Sequence, residues 1–243
     1  SNAGKPDLLE IYYPICEKWH ETFTEDTLTP ADRKKLLFYG GPIPLYLIKK
    51  SLFIENDIYF PEKLAYEDML VSRLLPFYLN RIAYVNVPLY YYRQRFNSIV
   101  NTRNSARFFD MLTVEDLTLA ELEKRGLVDG YEDILEYRFI FLGFINLLTE
   151  YPLKNSGRFH IEKFKKQNEH ILKTFPNFQQ NHYYIENVDA AMKKEVLLEL
   201  SHPRLWFIFA KLKLANKKFY QWVLKHKKFH NFLASVYSKL RRQ

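Results

Sequence analysis

Cysteine is almost absent from this 243-residue chain: Cys16 stands alone. A lone thiol excludes an internal disulfide and a cysteine-built metal cluster, and fits a reducing, cytoplasmic setting. Glycine is scarce, at 7 residues, and no Gly-rich phosphate loop occurs. Nor is there a Gly-x-Ser-x-Gly or a catalytic setting around Cys16. The longest apolar stretch, Tyr137 to Leu148, is interrupted by Arg138, Gly143 and Asn146. It is too short to span a bilayer and reads as a buried helix. No charged-then-apolar leader opens the chain, and Ser1-Asn2-Ala3 reads as a remnant of expression. Acidic residues are missing at one end: His202 to Gln243 holds eleven Lys and Arg and no Asp or Glu. The other 201 residues carry 25 basic and 28 acidic side chains, so the net +8 is a basic tail on a slightly acidic body.

Apolar residues make up 47% of the chain, enough for a real core and too many for a disordered one. Aromatics reach 17%, with 20 Phe and 18 Tyr. Most belong in that core, and amphipathic rings also suit a wet interface or a sugar-binding cleft.

The local signals predict an α+β, predominantly helical fold. A helical stretch covers Leu8 to Phe23. Thr29-Pro30-Ala31-Asp32 caps and starts a helix through Phe38, Gly40-Gly41-Pro42 turns, and Leu45 to Phe53 forms a short helix. Ile58 to Pro61 is extended. Leu70, Leu74 and Tyr78 recur at helical spacing behind Glu67 and Asp68, with Pro76 expected to kink that helix. Ile82 to Val87 reads as a strand, Pro88 breaks it, and Leu89 to Arg93 resumes it. Helices then run over about 105–125, 131–150, 160–174, 187–200 and through the tail. Among them Ile161, Phe164, Asn168, Ile171, Leu172 and Phe175 form a one-sided stripe. A boundary near residue 104 divides the chain into a small mixed α/β portion, 4–104, and a helical region, 105–243.

The strongest chemical candidate is Tyr66-Glu67-Asp68 at a helix start. A carboxylate there feels the positive helix end and stays ionised. An ionised Asp in a cleft accepts a proton from an attacking hydroxyl. Dipole compensation by first-turn acids is the plain alternative.

The neighbouring residues favour chemistry. Ile48-Lys49-Lys50-Ser51-Leu52-Phe53 precedes Ile58-Tyr59-Phe60-Pro61-Glu62 and Leu64-Ala65-Tyr66-Glu67-Asp68-Met69-Leu70. Arg81 to Arg93 follows, ending Pro88-Leu89-Tyr90-Tyr91-Tyr92-Arg93, and then Asn97-Ser98-Ile99. Over about residues 43 to 100 this order resembles the acceptor-side segment of bacterial family 2 glycosyltransferases. Beyond residue 105 the likeness is weak. The resemblance implies a partial GT-A-type domain and an inverting single displacement from a nucleotide sugar to a glycan or lipid-linked acceptor, in cell-surface polysaccharide or capsule synthesis. Asp68 would be the general base and Glu67 its support. Tyr66, Arg93, Arg95 and Ser98 would contact substrate, with Arg93 near the diphosphate. Strand-edge charges and a turn cap are the alternatives for the last three. The family's nucleotide-binding half ends in an Asp-x-Asp that holds a divalent metal, Mg or Mn, against the departing diphosphate. No Asp-x-Asp occurs here. The resemblance therefore implies a chain lacking that half and inactive alone, with no metal site of its own.

Other constellations are weaker. His226 and His230 lie four apart, but the lysines around them repel a cation. From 204 to 242, Leu205, Trp206, Phe209, Leu212, Phe219, Trp222 and Phe232 alternate with the cations. Such a segment suits an anionic membrane surface, peripheral to the inner face; packing on the rest of an enzyme is the alternative. A non-catalytic helical docking module is the competing reading of the whole chain. Nucleic-acid binding is disfavoured by the acidic body.

Overall fold

The computed structural model describes residues 8–9, 27–40, 43–82, 92–93, 106–155 and 159–215. Within them the architecture is predominantly helical. The helices are α1 (Pro30–Tyr39), α2 (Lys50–Glu55), α3 (Asp68–Tyr78), α4 (Asp110–Lys124), α5 (Glu132–Phe139), α6 (Asn146–Lys154), α7 (Ile161–Thr174), α8 (His182–Asn187), α9 (Ala190–Ser201) and α10 (Pro203–Ala215). Strands β1 (Leu8–Leu9) and β2 (Tyr92–Arg93) form one short antiparallel pair, with Leu8 opposite Arg93 and Leu9 opposite Tyr92.

Two expectations need correction. The described residues contain no mixed α/β layer: between 43 and 82 the backbone is helix, turn and irregular chain, including Ile58 to Pro61. Leu8–Leu9 is strand, where a helix was expected to begin. Residues 10–26, Gly41-Pro42, the strand expected over most of Ile82 to Val87, and the tail beyond 215 lie outside the described residues.

Three helices, α1, α8 and α9, open on side-chain caps. The Thr29 hydroxyl accepts from the Asp32 amide at 3.2 Å while Asp32 Oδ2 accepts from the Thr29 amide at 3.0 Å, a reciprocal box that opens α1. Asn181 caps α8 through Tyr183, and Asp189 caps α9 through Met192. The expected Leu45 to Phe53 helix splits into a single tight turn at Ile43–Leu45 and α2. Pro76 lies in the last turn of α3, where Arg33 Nη1 closes the helix end by donating to the Pro76 and Leu79 carbonyls.

One hydrophobic core runs through the assembly, from Leu37 and Ile58 across Leu74 and Phe144 to Trp206 and Ala210. It is continuous across the sequence boundary near residue 104, because α3 packs on α4. Helices α5 and α6 are joined by a wide π turn, Ile140–Ile145. Its Gly143 carbonyl accepts from Gln167 Nε2 of α7 at 3.2 Å, the outside partner that such a bulge calls for. A Cβ at Gly143 would sit 3.3 Å from Glu115 Cγ, so glycine permits the close approach of α4. On α7, Phe164 is wholly buried among Phe109, Tyr151, Phe159 and Trp206.

The core encloses one acid with no cationic partner among its described bonds. Glu199 on α9 is fully buried, its Oε1 takes a 3.0 Å hydrogen bond from Asn168 Nδ2, and its Oε2 has no partner. Burial pushes its carboxyl up to about 8, against which the Asn168 bond acts weakly.

Two outcomes follow. Phe164→Ala should lower unfolding free energy by about 3–5 kcal/mol in urea, the scale of a buried aromatic deletion, whereas exposed Leu117→Ala should change it by under about 0.5 kcal/mol. Because the folded Glu199 carboxyl binds its proton more tightly than the unfolded one, its stabilising contribution is complete below the ordinary glutamate range and lost as pH rises through about 8. Thermal melts from pH 5 to 9 should show that decline, and Glu199→Gln should flatten it.

Candidate functional site

The loop between α2 and α3 holds every non-glycine residue with positive φ among the described residues: Asp57 at 47°, Lys63 at 63° and Tyr66 at 66°. Side chains pay an energetic penalty in this region, so three in one loop mark a backbone held by its surroundings. The holding groups are identifiable. Arg125, at the end of α4, donates to the Asn56 and Asp57 carbonyls at 2.5 and 2.8 Å, and to the Tyr78 hydroxyl at 3.0 Å. Asp110 Oδ2, at the start of α4, accepts from the Ala65 amide at 3.1 Å. Ile58 and Ala65 are buried just inside these anchors.

The second anchor delivers Tyr66, Glu67 and Asp68 to the start of α3, and all three are half-buried. Burial raises the Tyr66 phenol, with the charges of Glu150 on α6 and Asp110 at the start of α4 adding to it. Asp68 departs from expectation. The helix-end amides of Asp68 and Met69 do stabilise its anion, but burial, followed by the neighbouring Glu67 charge, outweighs them and raises its carboxyl above the ordinary Asp range. A carboxylate so placed holds protons better than a free one, which suits a proton acceptor.

Beneath that helix start lies a charge cluster that the sequence did not disclose. Arg73 on α3 and Glu115 on α4 are both buried, with Nη2 and Oε1 2.8 Å apart. The contact is a close approach of charges rather than an aligned hydrogen bond. The Arg73 Nη1 donates back to the Met69 carbonyl, one residue from Asp68. Arg138 on α5 completes the cluster, and its Nη1 donates to the Phe38 carbonyl of α1 at 2.9 Å. Burial prevails over attraction on both signs of charge. It pushes Glu115 up to about 7 despite Arg73 and Arg138, and pulls Arg138 down to about 10, with Arg73 acting the same way. Although the Arg138 residue as a whole retains some exposure, its Nε is sealed from solvent without a partner, so the guanidinium is buried. Arg73 carries the legible signal: one cation amid Leu70, Val71, Leu74 and Leu75, all of them core.

Of the other candidate residues, Arg93 is placed only as backbone in β2, while Arg95 and Ser98 lie outside the described residues, as do His226 and His230. Among the described residues no three His, Cys, Asp or Glu side chains converge as a metal would require.

Truncation should expose the strength of the charge cluster. Glu115→Ala strands two guanidinium groups and should cost about 3–5 kcal/mol in urea unfolding. Arg73→Met with Glu115→Leu removes both charges and should cost less than Glu115→Ala alone. Comparison with protein-family models, curated proteins and solved structures finds no match to this chain.

Proposed function

We propose that this chain is the acceptor-side portion of an inverting, family 2-like glycosyltransferase with Asp68 as its general base. The observation that carries the reading is the placement of Asp68: at a helix start, behind a strained loop, half-buried, with its carboxyl made more basic than usual. It supports the likeness of the surrounding residues to that family. The cell-surface or capsular product and the cytoplasmic, membrane-peripheral location belong to the same proposal.

In this mechanism Asp68 takes the proton of an acceptor hydroxyl as that oxygen attacks the anomeric carbon. The bond from that carbon to the donor's diphosphate breaks, the nucleoside diphosphate leaves with the bonding pair, and configuration inverts. Glu67 keeps the Asp68 carboxyl basic through its charge. Tyr66 offers its ring beside the reacting hydroxyl, while Arg93, Arg95 and Ser98 serve substrate contact. The residues here do not fit the family's divalent ion, since neither an Asp-x-Asp nor a convergent acidic set is available among those described. No step is drawn through it.

Donor binding is therefore assigned elsewhere. Calorimetry of this chain with common nucleotide sugars and Mg or Mn should show no tight binding; tight binding would place the donor site within it. In a whole enzyme carrying this chain, Asp68→Asn should lower turnover by about a hundredfold or more, the scale of general-base loss. Its melting temperature should not fall, since burial costs the Asp68 carboxylate more than the helix-end amides return. Normal turnover in a variant that melts like the parent would reduce Asp68 to dipole compensation.

A further inference from the structure

Helix α10 has two faces of different fate. Its inner face is fixed: Trp206 is 1% exposed and Ala210 is buried. Trp206 packs on Phe164 with ring centroids 5.4 Å apart, and Phe207 stacks on Phe159 at 4.6 Å. Lys211 Nζ reinforces the fit by capping the carbonyl end of α6, donating to the Pro152 carbonyl at 2.8 Å and to that of Asn155. These contacts set which face of the helix turns inward and which turns outward.

That outer face is apolar where a solvated helix would be polar. Ile208 and Leu212, one turn apart, are 54% and 41% exposed, and α6 adds Leu153, 55% exposed, next to the capped Pro152 carbonyl. Ile208 and Leu212 are neighbours on this face, as residues four apart on a helix are, and paired exposed aliphatic side chains on a packed helix are a candidate contact surface. The charge on the same stretch limits what can cover it. From His202 to Gln243 there are eleven cations and no acid, while the rest of the chain is net acidic. A second copy would bring an equally basic tail to the contact. Nucleic acid would answer the charge but not the aliphatic side chains.

We infer that the outer face of α10, with Leu153 of α6, docks on an anionic lipid bilayer, inserting Ile208, Leu212 and Leu153 at the headgroup boundary, and that the net basic charge of residues 202–243 favours an anionic over a neutral surface. The helix lies in the interface and does not cross it, since none of the described helices is long and apolar enough to span a membrane. Docking of α10 deepens the membrane-peripheral location proposed above, but it uses no residue of the Asp68 site, so the two can fail separately.

The test is co-sedimentation of the full chain with sucrose-loaded vesicles, of phosphatidylcholine alone and of phosphatidylcholine mixed with phosphatidylglycerol. Binding should favour the mixed vesicles. It should weaken with salt, because exposed charges are screened over about 10 Å at 0.1 M, and retain a salt-resistant remainder. Ile208→Ser, Leu212→Ser and Leu153→Ser together should remove that remainder and lower partitioning by about tenfold or more, a loss of about 1.4 kcal/mol or greater. All three sites are exposed, so the circular dichroism spectrum and melting temperature should hold. Binding by the triple variant equal to that of the parent would overturn the proposal and leave attraction by cations alone. Failure of the parent to bind the mixed vesicles would also overturn it. A dimer that the triple variant dissolves would then assign the face to a second copy.

Discussion

The organising constraint in this molecule is the approach of Arg73 and Glu115 in an apolar interior. Two charges 2.8 Å apart in a desolvated setting hold together only while every element around them stays in place. Arg73 fixes α3 against α4, and Arg138 extends the cluster to α5 and, through the Phe38 carbonyl, to α1. Gly143 in the π turn supplies the space that Glu115 needs. The helices that bury the cluster are also those that present Asp68, and the guanidinium bound to the Met69 carbonyl lies one residue from it. The site is therefore built from beneath. A buried charge cluster sets the helix, and the helix start sets the carboxylate.

The loop entering α3 is controlled from the opposite side. Arg125 and Asp110 stand at the two ends of α4 and seize the two ends of the strained segment, at Asn56–Asp57 and at Ala65. One helix thus supplies Glu115 to the interior and both loop anchors to the surface. Strain at Asp57, Lys63 and Tyr66 persists because these bonds over-determine the backbone. Side chains distant in sequence thus hold the backbone at Tyr66 in the left-handed region, from which Glu67 and Asp68 enter the helix.

Local signals in the sequence foretold local structure well. Thr29 and Asp32 announced α1, and the stripe through Phe164, Asn168 and Ile171 announced the buried face of α7. The start of α3 at Asp68 was legible for the same reason. Segments governed by distant partners were not. Leu45 and Leu47 read as helix because apolar residues ordinarily face a core, yet both are exposed. Helix α8 is short and rests on its Asn181 cap rather than on periodicity. The raised Asp68 carboxyl was missed because the helix end is a local feature, whereas the burial that outweighs it comes from tertiary packing. Arg73 was visible as a charge in an apolar helix, but its partner Glu115 stands 42 positions away in sequence and nothing local pairs them.

The claim that the buried cluster governs the site is tested most directly by a carbon-detected NMR titration of the Asp68 carboxyl, in the parent chain and in Arg73→Met. The parent midpoint should lie above the ordinary value of about 3.9. It should rise further in Arg73→Met, because the buried guanidinium is the cluster's charge that stabilises the Asp68 carboxylate. A parent midpoint at or below the ordinary value, unmoved by Arg73→Met, would contradict it.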